Sequence, residues 1–353
     1  MSEFEYKEGK RREYRNKSEE LLTQLPDFCR TYERGIEGTV TATTMYQYLQ
    51  RIHVFFQYLH DNNSFYHNKD LKQITYDDLS HLEAEDIEEF THYIRVGKAS
   101  DGRQNKESSV NHYLCALNSL WDYSISHGRL RHNVIKDVKR GKKRRHEVIT
   151  LNHENETGLF DSIQYGTNMT RHQEAYRNDV TVARDNAICL TLVRTGLRVS
   201  ELVGINLDDI NFTDCYFHVN RKEDKIDNVY FSDQVKEVLQ EYIRLRPLLQ
   251  PDPAEKALFL VTIGKYKGTR LSVRSVQLLV KKYALAGAPE VGSRMTPHKM
   301  RSTYATNLLR ASEGDLTLVQ EALNHESPST TSIYLQKRQK DLRDNRNLID
   351  EEG

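Results

Sequence analysis

The C-terminal half of the chain carries two arginines, two histidines, a lysine and a tyrosine whose chemistry suits phosphoryl transfer without a metal. They lie in five short segments: TGLRVSEL with Arg198, RKEDKID with Lys222, TPHKMR with His298 and Arg301, LNHES with His325, and STTSIYLQ with Tyr334. Taken singly, each side chain is more often a surface, ion-paired or half-buried residue than a catalytic one. Taken together, they match the requirements of one reaction.

That reaction is the cleavage of a phosphodiester by a protein nucleophile. Negative charge gathers on the non-bridging oxygens, and two arginines such as Arg198 and Arg301 can hold them through planar, permanently charged forks. A lysine on a hairpin can protonate the leaving 5′-hydroxyl, while histidines bind the phosphate or manage the proton of an attacking phenol. Tyr334 is the candidate nucleophile, because tyrosine forms covalent intermediates and an aryl phosphate retains the energy needed for rejoining.

The elements that position these residues belong to a second domain with a mixed pattern. Apolar spacing and turn residues predict a helix over 184–194, a turn at Thr195-Gly196, and helices over 199–203, 233–245, 273–286 and after Pro297. The alternating segments CYFHVN and NVYFS, separated by RKEDKID, predict a β-hairpin. His298 and Arg301 lie three residues apart at a helix start, so they share one helix face.

The first half of the chain reads as a small all-helical domain. The segment TATTMYQYLQRIHVFFQYLHDNN has threonines that can cap a helix and an apolar face of Met45, Leu49, Ile52, Phe56 and Leu59. Further helices are predicted over 85–96 and 108–128. The predicted domains are a flexible N-terminal tail or frayed first helix over 1–25, a helical domain over 26–136, a basic linker over 137–150 and an α+β domain over 151–353.

Composition limits the class of protein. A length of 353 residues suits about two domains. No apolar run approaches the roughly 20 residues of a membrane span and no signal region begins the chain, so a soluble, cytoplasmic protein is expected. Four cysteines without metal-ligand spacing predict reduced thiols and no metal site. The 51 basic residues balance the 51 acidic ones, which excludes a uniformly basic protein. A dense basic cluster nevertheless follows the first domain: Lys139, Arg140, Lys142, Lys143, Arg144 and Arg145.

From about residue 28 onward the sequence resembles the tyrosine recombinase family, also called the phage or lambda integrase family, which includes the Xer and Cre recombinases. TGLRVSELVGINLDDI is similar to the family's first arginine motif, and TPHKMRSTYATNLL to its HxxR helix. LVQEALNHESPSTTSIYLQ is similar to the closing segment, with the nucleophile nine residues after the second histidine. The resemblance implies catalytic roles for Arg198, His298, Arg301, His325 and Tyr334.

Two positions depart from the family pattern. The family's hairpin lysine falls on Lys222, but this chain reads NRKEDKIDNVYF in place of a glycine-flanked turn, so Lys225 remains a rival. Asn324 stands where glycine is usual. Because asparagine tolerates left-handed backbone geometry, this change is expected to affect a turn and not the chemistry.

The resemblance also implies an architecture and a reaction. A helical core-binding domain and a catalytic domain would close around duplex DNA as a clamp, and the basic linker would contact DNA. Only the groove facing the phosphates must then be positive, which removes the objection from net neutrality. The reaction would pass through a 3′-phosphotyrosine and a Holliday junction within a homotetramer on two DNA sites, without a metal or nucleotide, and the bound protein would associate with the nucleoid.

Two other functions fit part of the pattern. A type IB topoisomerase uses the same chemistry on one duplex, but the two-domain layout and the spacing from LNHES to Tyr334 favour a recombinase. A catalytically inactive DNA-binding accessory factor would show a gap among the catalytic positions. The sequence has no such gap, so a site-specific recombinase is the main prediction.

Overall fold

The computed structural model describes residues 3–67, 69–96, 107–141, 148–220 and 226–324. The chain divides into two compact units, one of residues 6–145 and one that consists chiefly of residues 146–353. In the part of the chain described, no helix combines the length and the apolar character that a membrane crossing requires.

The described part of the N-terminal unit is helical. Its α-helices are α1 (Glu3–Leu22), α2 (Phe28–Ile36), α3 (Ala42–Asn62), α4 (Tyr76–Ser80), α5 (Ala84–Val96) and α6 (Glu107–Ser126). The Oγ1 of Thr41 accepts a hydrogen bond from the Thr44 N–H and so caps α3. The predicted helices over 41–63, 85–96 and 108–128 are confirmed as α3, α5 and α6.

The core of this unit is rich in aromatic residues. The ring of Phe55 meets Phe90 and Trp121 edge to face, with centroids 5.0 and 6.0 Å apart. These three side chains come from α3, α5 and α6 and are almost completely buried. Edge-to-face pairs add to the free energy gained by burying their apolar area. The aromatic contacts therefore fix the mutual packing of the three helices.

Of the two alternatives predicted for residues 1–25, a flexible tail or a frayed first helix, the structure shows a helix. Helix α1 occupies most of this segment, and Leu22 and Leu25 are buried in the core of the N-terminal unit. Charged pairs at helical spacing, such as Lys10 with Glu13 and Glu13 with Lys17, stabilise the helix although it has few apolar residues. The core also extends to Val138, two residues beyond the boundary predicted at 136.

The C-terminal unit combines helices with a small antiparallel sheet. Its elements are α7 (His153–Tyr165), α8 (Arg171–Glu174), α9 (Asp179–Thr195), α10 (Val199–Gly204), β1 (Ile210–Asn211), β2 (Tyr216–Asn220), β3 (Ile226–Tyr230), α11 (Asp233–Leu245), α12 (Val273–Gly287), α13 (Pro289–Gly292), α14 (Pro297–Ala311) and α15 (Leu316–Leu323). The described strands pair in the order β1-β2-β3, with Phe217 opposite Val229. The predicted mainly helical fold with a small sheet is confirmed, and so is the hairpin.

Helix α9 lies at the centre of this unit and packs against α7, α11 and α14. Its Asp185 is fully buried, where it accepts hydrogen bonds from the Arg184 guanidinium at 2.6 Å and the Tyr283 hydroxyl at 2.7 Å. The ammonium of Lys282 is 3.5 Å from the same carboxylate. Because a buried charge is stable only when it is paired, this network ties α9 firmly to α12.

A separate small apolar cluster joins α14 to α15. Its buried members are Ala305, Leu309, Val319 and Leu323, and Tyr304 and Val148 pack against them. The Thr303 hydroxyl on α14 also accepts a hydrogen bond from the Leu151 N–H at 2.9 Å. The first described residues of the C-terminal unit are therefore anchored to the same helix that carries His298 and Arg301.

Candidate active site

The turn between α9 and α10 presents Arg198. Helix α9 ends at Gly196, whose φ of 63° lies in the left-handed region. A Cβ atom at this position would lie 2.4 Å from Cδ1 of Tyr304 and 3.0 Å from Cδ2 of Leu323. Both the backbone geometry and the lack of space therefore require glycine here. Two residues later, Arg198 begins α10 as its N-cap residue.

The side chain of Arg198 is oriented by Glu201. The Glu201 carboxylate accepts the Arg198 main-chain N–H and Nη1–H, each at 2.7 Å. The side chain of Glu201 is only 6% exposed, whereas that of Arg198 is 39% exposed. The guanidinium is thus held on one side by a buried carboxylate, while its other terminal nitrogen points away from that carboxylate. Glu201 was not predicted from the sequence, although an acidic residue three positions after an N-cap is a recognised signal.

Arg301 approaches the same turn from α14. Thr296 caps this helix and Pro297 occupies its first position, so His298 and Arg301 lie in its first two turns. The guanidinium of Arg301 is buried and donates to the carbonyl oxygens of Gly196 and Leu323. Arg301 therefore links the end of α9 to the end of α15.

Both arginines meet at the C-terminus of α15. Nη2–H of Arg198 donates to the Asn324 carbonyl at 3.2 Å, beside the Leu323 carbonyl that receives Arg301. Asn324 has a φ of 46° and ends the helix in the left-handed region. The expectation that Asn324 adopts left-handed backbone geometry at a turn is confirmed. Two guanidiniums from separate helices are therefore brought together directly before the position of His325.

His298 shares this electrostatic environment. His298 is exposed as a residue, but protein atoms surround part of its ring, and this burial lowers the pKa of the ring. The positive charges of Lys299, Arg301 and Arg198 lower the pKa further. His298 and Arg301 lie on the same helix, and the charges of both arginines act on the His298 ring, so the three candidate side chains share one electrostatic environment. The neutral imidazole is the form favoured there, and it can both donate and accept a hydrogen bond.

Several predicted site residues lie outside the described ranges. They are Lys222 and the alternative Lys225, His325, Tyr334, and the linker residues Lys142, Lys143, Arg144 and Arg145. Of the predicted linker contacts, Lys139 and Arg140 are described, and both are exposed. The four cysteines are free thiols, as predicted, and burial raises the pKa of Cys29 and Cys189.

The described part of the site can bind an oxyanion. Arg198 and Arg301 supply forked N–H donors with permanent charge, and the neutral His298 adds a polarisable donor or acceptor. Their present acceptors are carbonyl oxygens, which resemble the non-bridging oxygens of a phosphodiester in their hydrogen-bonding requirements. Among the described residues, no group of three or more His, Cys, Asp or Glu side chains is arranged to hold a metal ion.

Comparison with known proteins identifies relatives along nearly the whole chain. Residues 166–341 match the phage integrase family. The tyrosine recombinase XerS of Streptococcus mutans is 29% identical over 346 residues, which cover 90% of this chain and 94% of XerS. The tyrosine recombinase XerC of Vibrio cholerae is 34% identical over 229 residues, which cover 65% of this chain and 67% of XerC.

The fold is also similar to that of a solved structure. The Tn1549 transposon integrase in complex with transposon right end DNA aligns over 87% of this chain and 93% of the integrase chain, with a TM-score of 0.64 and 18% sequence identity. At this identity the likeness concerns the fold. The family match over residues 166–341 and the two relatives identify the protein family of this chain. The fold of the solved structure agrees with them.

Proposed function

Since this chain belongs to the tyrosine recombinase family, also called the phage integrase family, we propose that it cleaves and rejoins DNA at specific sites through a covalent 3′-phosphotyrosine. Its enzyme class is that of a tyrosine-type site-specific recombinase. The observation that carries the proposal is the convergence of Arg198 and Arg301, from two helices, on the end of α15. Duplex DNA containing recombination sites is the substrate.

The two arginines bind the scissile phosphate. Their guanidiniums exchange carbonyl oxygens for non-bridging phosphate oxygens, and Glu201 keeps Arg198 oriented during that exchange. Preorganised donors of this kind stabilise the charge that develops in the transition state. His298, held neutral by its lowered pKa, donates an N–H to the phosphate or accepts a proton close to it. The geometry of the two arginines supports these roles.

The remaining roles fall on residues assigned from the sequence alone. The phenol oxygen of Tyr334 attacks phosphorus, and the bond from phosphorus to the 5′-oxygen breaks. The phenol proton passes to a histidine, His325 or His298, or to water, and Lys222 donates a proton to the leaving 5′-oxygen, with Lys225 as the alternative donor. In the reverse direction a 5′-hydroxyl from the partner duplex attacks the phosphotyrosine and releases Tyr334. Two such rounds exchange all four strands through a Holliday junction.

The assembly is a homotetramer on two DNA sites. In it the helical N-terminal unit and the linker hold the duplex, and the segment over 335–353 exchanges between protomers. The exposed positions of Lys139 and Arg140 support linker contacts with phosphates. The segment LQKRQKDLRDNRNLIDEEG supplies Leu335, Leu342, Leu348 and Ile349 as its apolar contacts. Cytoplasmic association with the nucleoid is the corresponding location.

The central test is trapping of the covalent intermediate. Nicked suicide duplexes made from the DNA that flanks the gene should give a protein–DNA adduct with the wild-type chain and none with Tyr334→Phe. Tyr304→Phe is the matched control, because the Tyr304 ring lies against Gly196 but is assigned no chemistry. An adduct that persists in Tyr334→Phe would refute the assigned nucleophile. Relaxation of a supercoiled plasmid that lacks the site, without recombinant products, would instead indicate a topoisomerase.

A further inference from the structure

Helix α10 is too short to hold its own orientation. It has six residues, and isolated helices shorter than roughly 12 residues are marginal in water. Its buried Leu202 and Val203 attach it to the main core, and Glu201 fixes its first turn to Arg198. The direction of the helix, and with it the position of Arg198, therefore depends on how its C-terminus is held.

An arginine from another segment holds that C-terminus, together with the Leu258 N–H, which donates to the Ile205 carbonyl at 2.9 Å. Nη1–H of Arg270 donates to the carbonyl oxygens of Val203 at 2.8 Å, Gly204 at 3.0 Å and Ile205 at 3.4 Å. Nη2–H donates to Oδ1 of Asn206 at 2.5 Å. These carbonyls lie at the end of a helix, where partners within the helix are missing and a positive charge is favourable.

The main chain of Arg270 is itself fixed. Arg270 forms an isolated β-bridge with Leu260, and the next residue, Leu271, donates its N–H to the Phe259 carbonyl at 2.9 Å. The side chain therefore extends from a rigid point to the end of α10. Because a guanidinium is a planar fork, its two terminal nitrogens reach the carbonyls and the Asn206 side chain at the same time. A lysine carries its three donors on one nitrogen and cannot occupy both positions.

We propose that Arg270 is a positioning residue for Arg198, which acts by fixing the C-terminus of the helix that Arg198 begins. Arg270 has no role in the chemical step itself. The inference rests on the proposed function, in which Arg198 binds the scissile phosphate. It extends that function by adding a residue that controls the reaction from the far end of α10.

The first test is a double-mutant cycle on the rate of adduct formation. Single-turnover cleavage of the suicide duplex should slow about tenfold or more in Arg270→Lys, since small displacements of a positioned group cost large factors in rate. The Kd for the same duplex should change by less than about threefold. In an Arg198→Lys background, Arg270→Lys should slow the rate by less than about twofold, because its effect passes through Arg198. Arg270→Met removes every donor and should give a larger loss.

The matched control is Arg177→Lys. Arg177 also binds helix-end carbonyls, those of Ile163 and Gln164 at the end of α7, but α7 carries no candidate catalytic residue. Its substitution should have the same small effect on cleavage with or without Arg198→Lys. An equal loss from Arg270→Lys in both backgrounds would show that Arg270 is merely structural, and it would overturn the inference.

A second measurement does not depend on catalysis. The Nε–Hε resonance of Arg198, assigned by its disappearance in Arg198→Lys, should shift in Arg270→Lys and stay in place in Arg177→Lys. An unchanged Arg198 resonance in Arg270→Lys overturns the positioning role whether or not DNA is cleaved. Absence of any wild-type adduct, together with a shifted resonance, would refute the proposed function and leave the positioning role intact.

Discussion

At the scale of single residues, Glu201 is an almost buried acidic partner of a partly exposed arginine. Its carboxylate accepts two hydrogen bonds from Arg198, and its side chain is 6% exposed. We expect Glu201→Gln to reduce the free energy of unfolding by about 1 to 3 kcal/mol. The NH₂ group of glutamine would face an N–H of Arg198, where the carboxylate oxygen of Glu201 accepts a hydrogen bond. Urea denaturation measures this change, and cleavage of suicide duplexes should slow in parallel.

Glu241→Gln provides the matched control for this substitution. Glu241 also pairs with an arginine three positions away in the sequence, Arg244, but both side chains are exposed. Exposed pairs of this kind contribute about 0.2 to 1 kcal/mol, so the control should lose little stability and no activity. Equal losses in the two variants would show that burial of Glu201 has no energetic consequence.

The lowered pKa of His298 predicts a pH-dependent contribution to stability. Burial and the charges of Lys299, Arg301 and Arg198 depress its pKa below 6.5 in the folded chain. The unfolded chain therefore binds a proton more readily, and the contribution, complete above about pH 6.5, is lost as the pH falls through the folded-state pKa. Urea denaturation between pH 5 and 8 should show wild type losing stability relative to His298→Gln at the acid end. Parallel curves for the two proteins would contradict the assigned shift.

At the scale of elements, the turn from α9 to α10 combines a left-handed residue with a crowded environment. Gly196→Ala should destabilise the chain by more than the roughly 1 to 2 kcal/mol of left-handed geometry, because the new methyl group meets the Tyr304 ring. Gly264→Ala is the control, since Gly264 also has a positive φ but open space around it. Similar thermal midpoints for the two variants would show that the contact with Tyr304 is easily relieved.

The buried network around Asp185 gives the second prediction at this scale. Asp185→Asn removes the negative charge that pairs with Arg184 and Lys282. Burial already lowers the pKa of Lys282. Breaking a buried pair typically costs about 3 to 5 kcal/mol, so urea denaturation should show a loss of this order. Asp208→Asn, which removes the exposed partner of Lys256, should cost far less. A small loss in Asp185→Asn would mean that the α9–α12 contact is held by apolar packing alone.

The helices that sequence reasoning found are those whose apolar residues recur at helical spacing, such as α3 with Leu49 and Ile52. Helix α1 was predicted only as a frayed alternative to a flexible tail, because charge dominates its sequence and only its last apolar residues reach the core. Strand β1 was missed because two residues carry no periodicity. The spacing of apolar residues predicts which face of a helix is buried, but not which elements pack against that face.

The candidate site was predictable where motifs are local and not where contacts are distant. His298 and Arg301 share a helix, so their proximity followed from spacing. The meeting of Arg198 with Asn324 joins positions 126 residues apart, and nothing in either segment encodes it. The sequence alone shows Arg270 only as an arginine in a predicted loop. Its hydrogen bonds to the end of α10 are visible only in the structure.

At the scale of the whole molecule, a chain with no net charge must bind DNA through local positive charge. We expect DNA binding to weaken when glutamine replaces all four of Lys142, Lys143, Arg144 and Arg145. The slope of log Kd against log salt concentration should fall by up to about 3 to 4. Fluorescence anisotropy across a salt series measures this. A control fourfold replacement of Lys10, Arg11, Lys17 and Arg30, all of which pair with acids, should leave the slope near wild type. An unchanged slope in the linker variant would exclude the predicted contacts.

The acceptors that gather the two arginines on α15 are main-chain oxygens, and every amino acid provides these. Side chains along α15 can therefore diverge without removing the acceptors, provided that the helix still ends in the left-handed turn now formed by Asn324. A helix transplanted from a distant relative would retain them on the same condition. In this respect the site tolerates sequence drift on one side while it depends on a few fixed residues, Arg198 and Arg301, on the other.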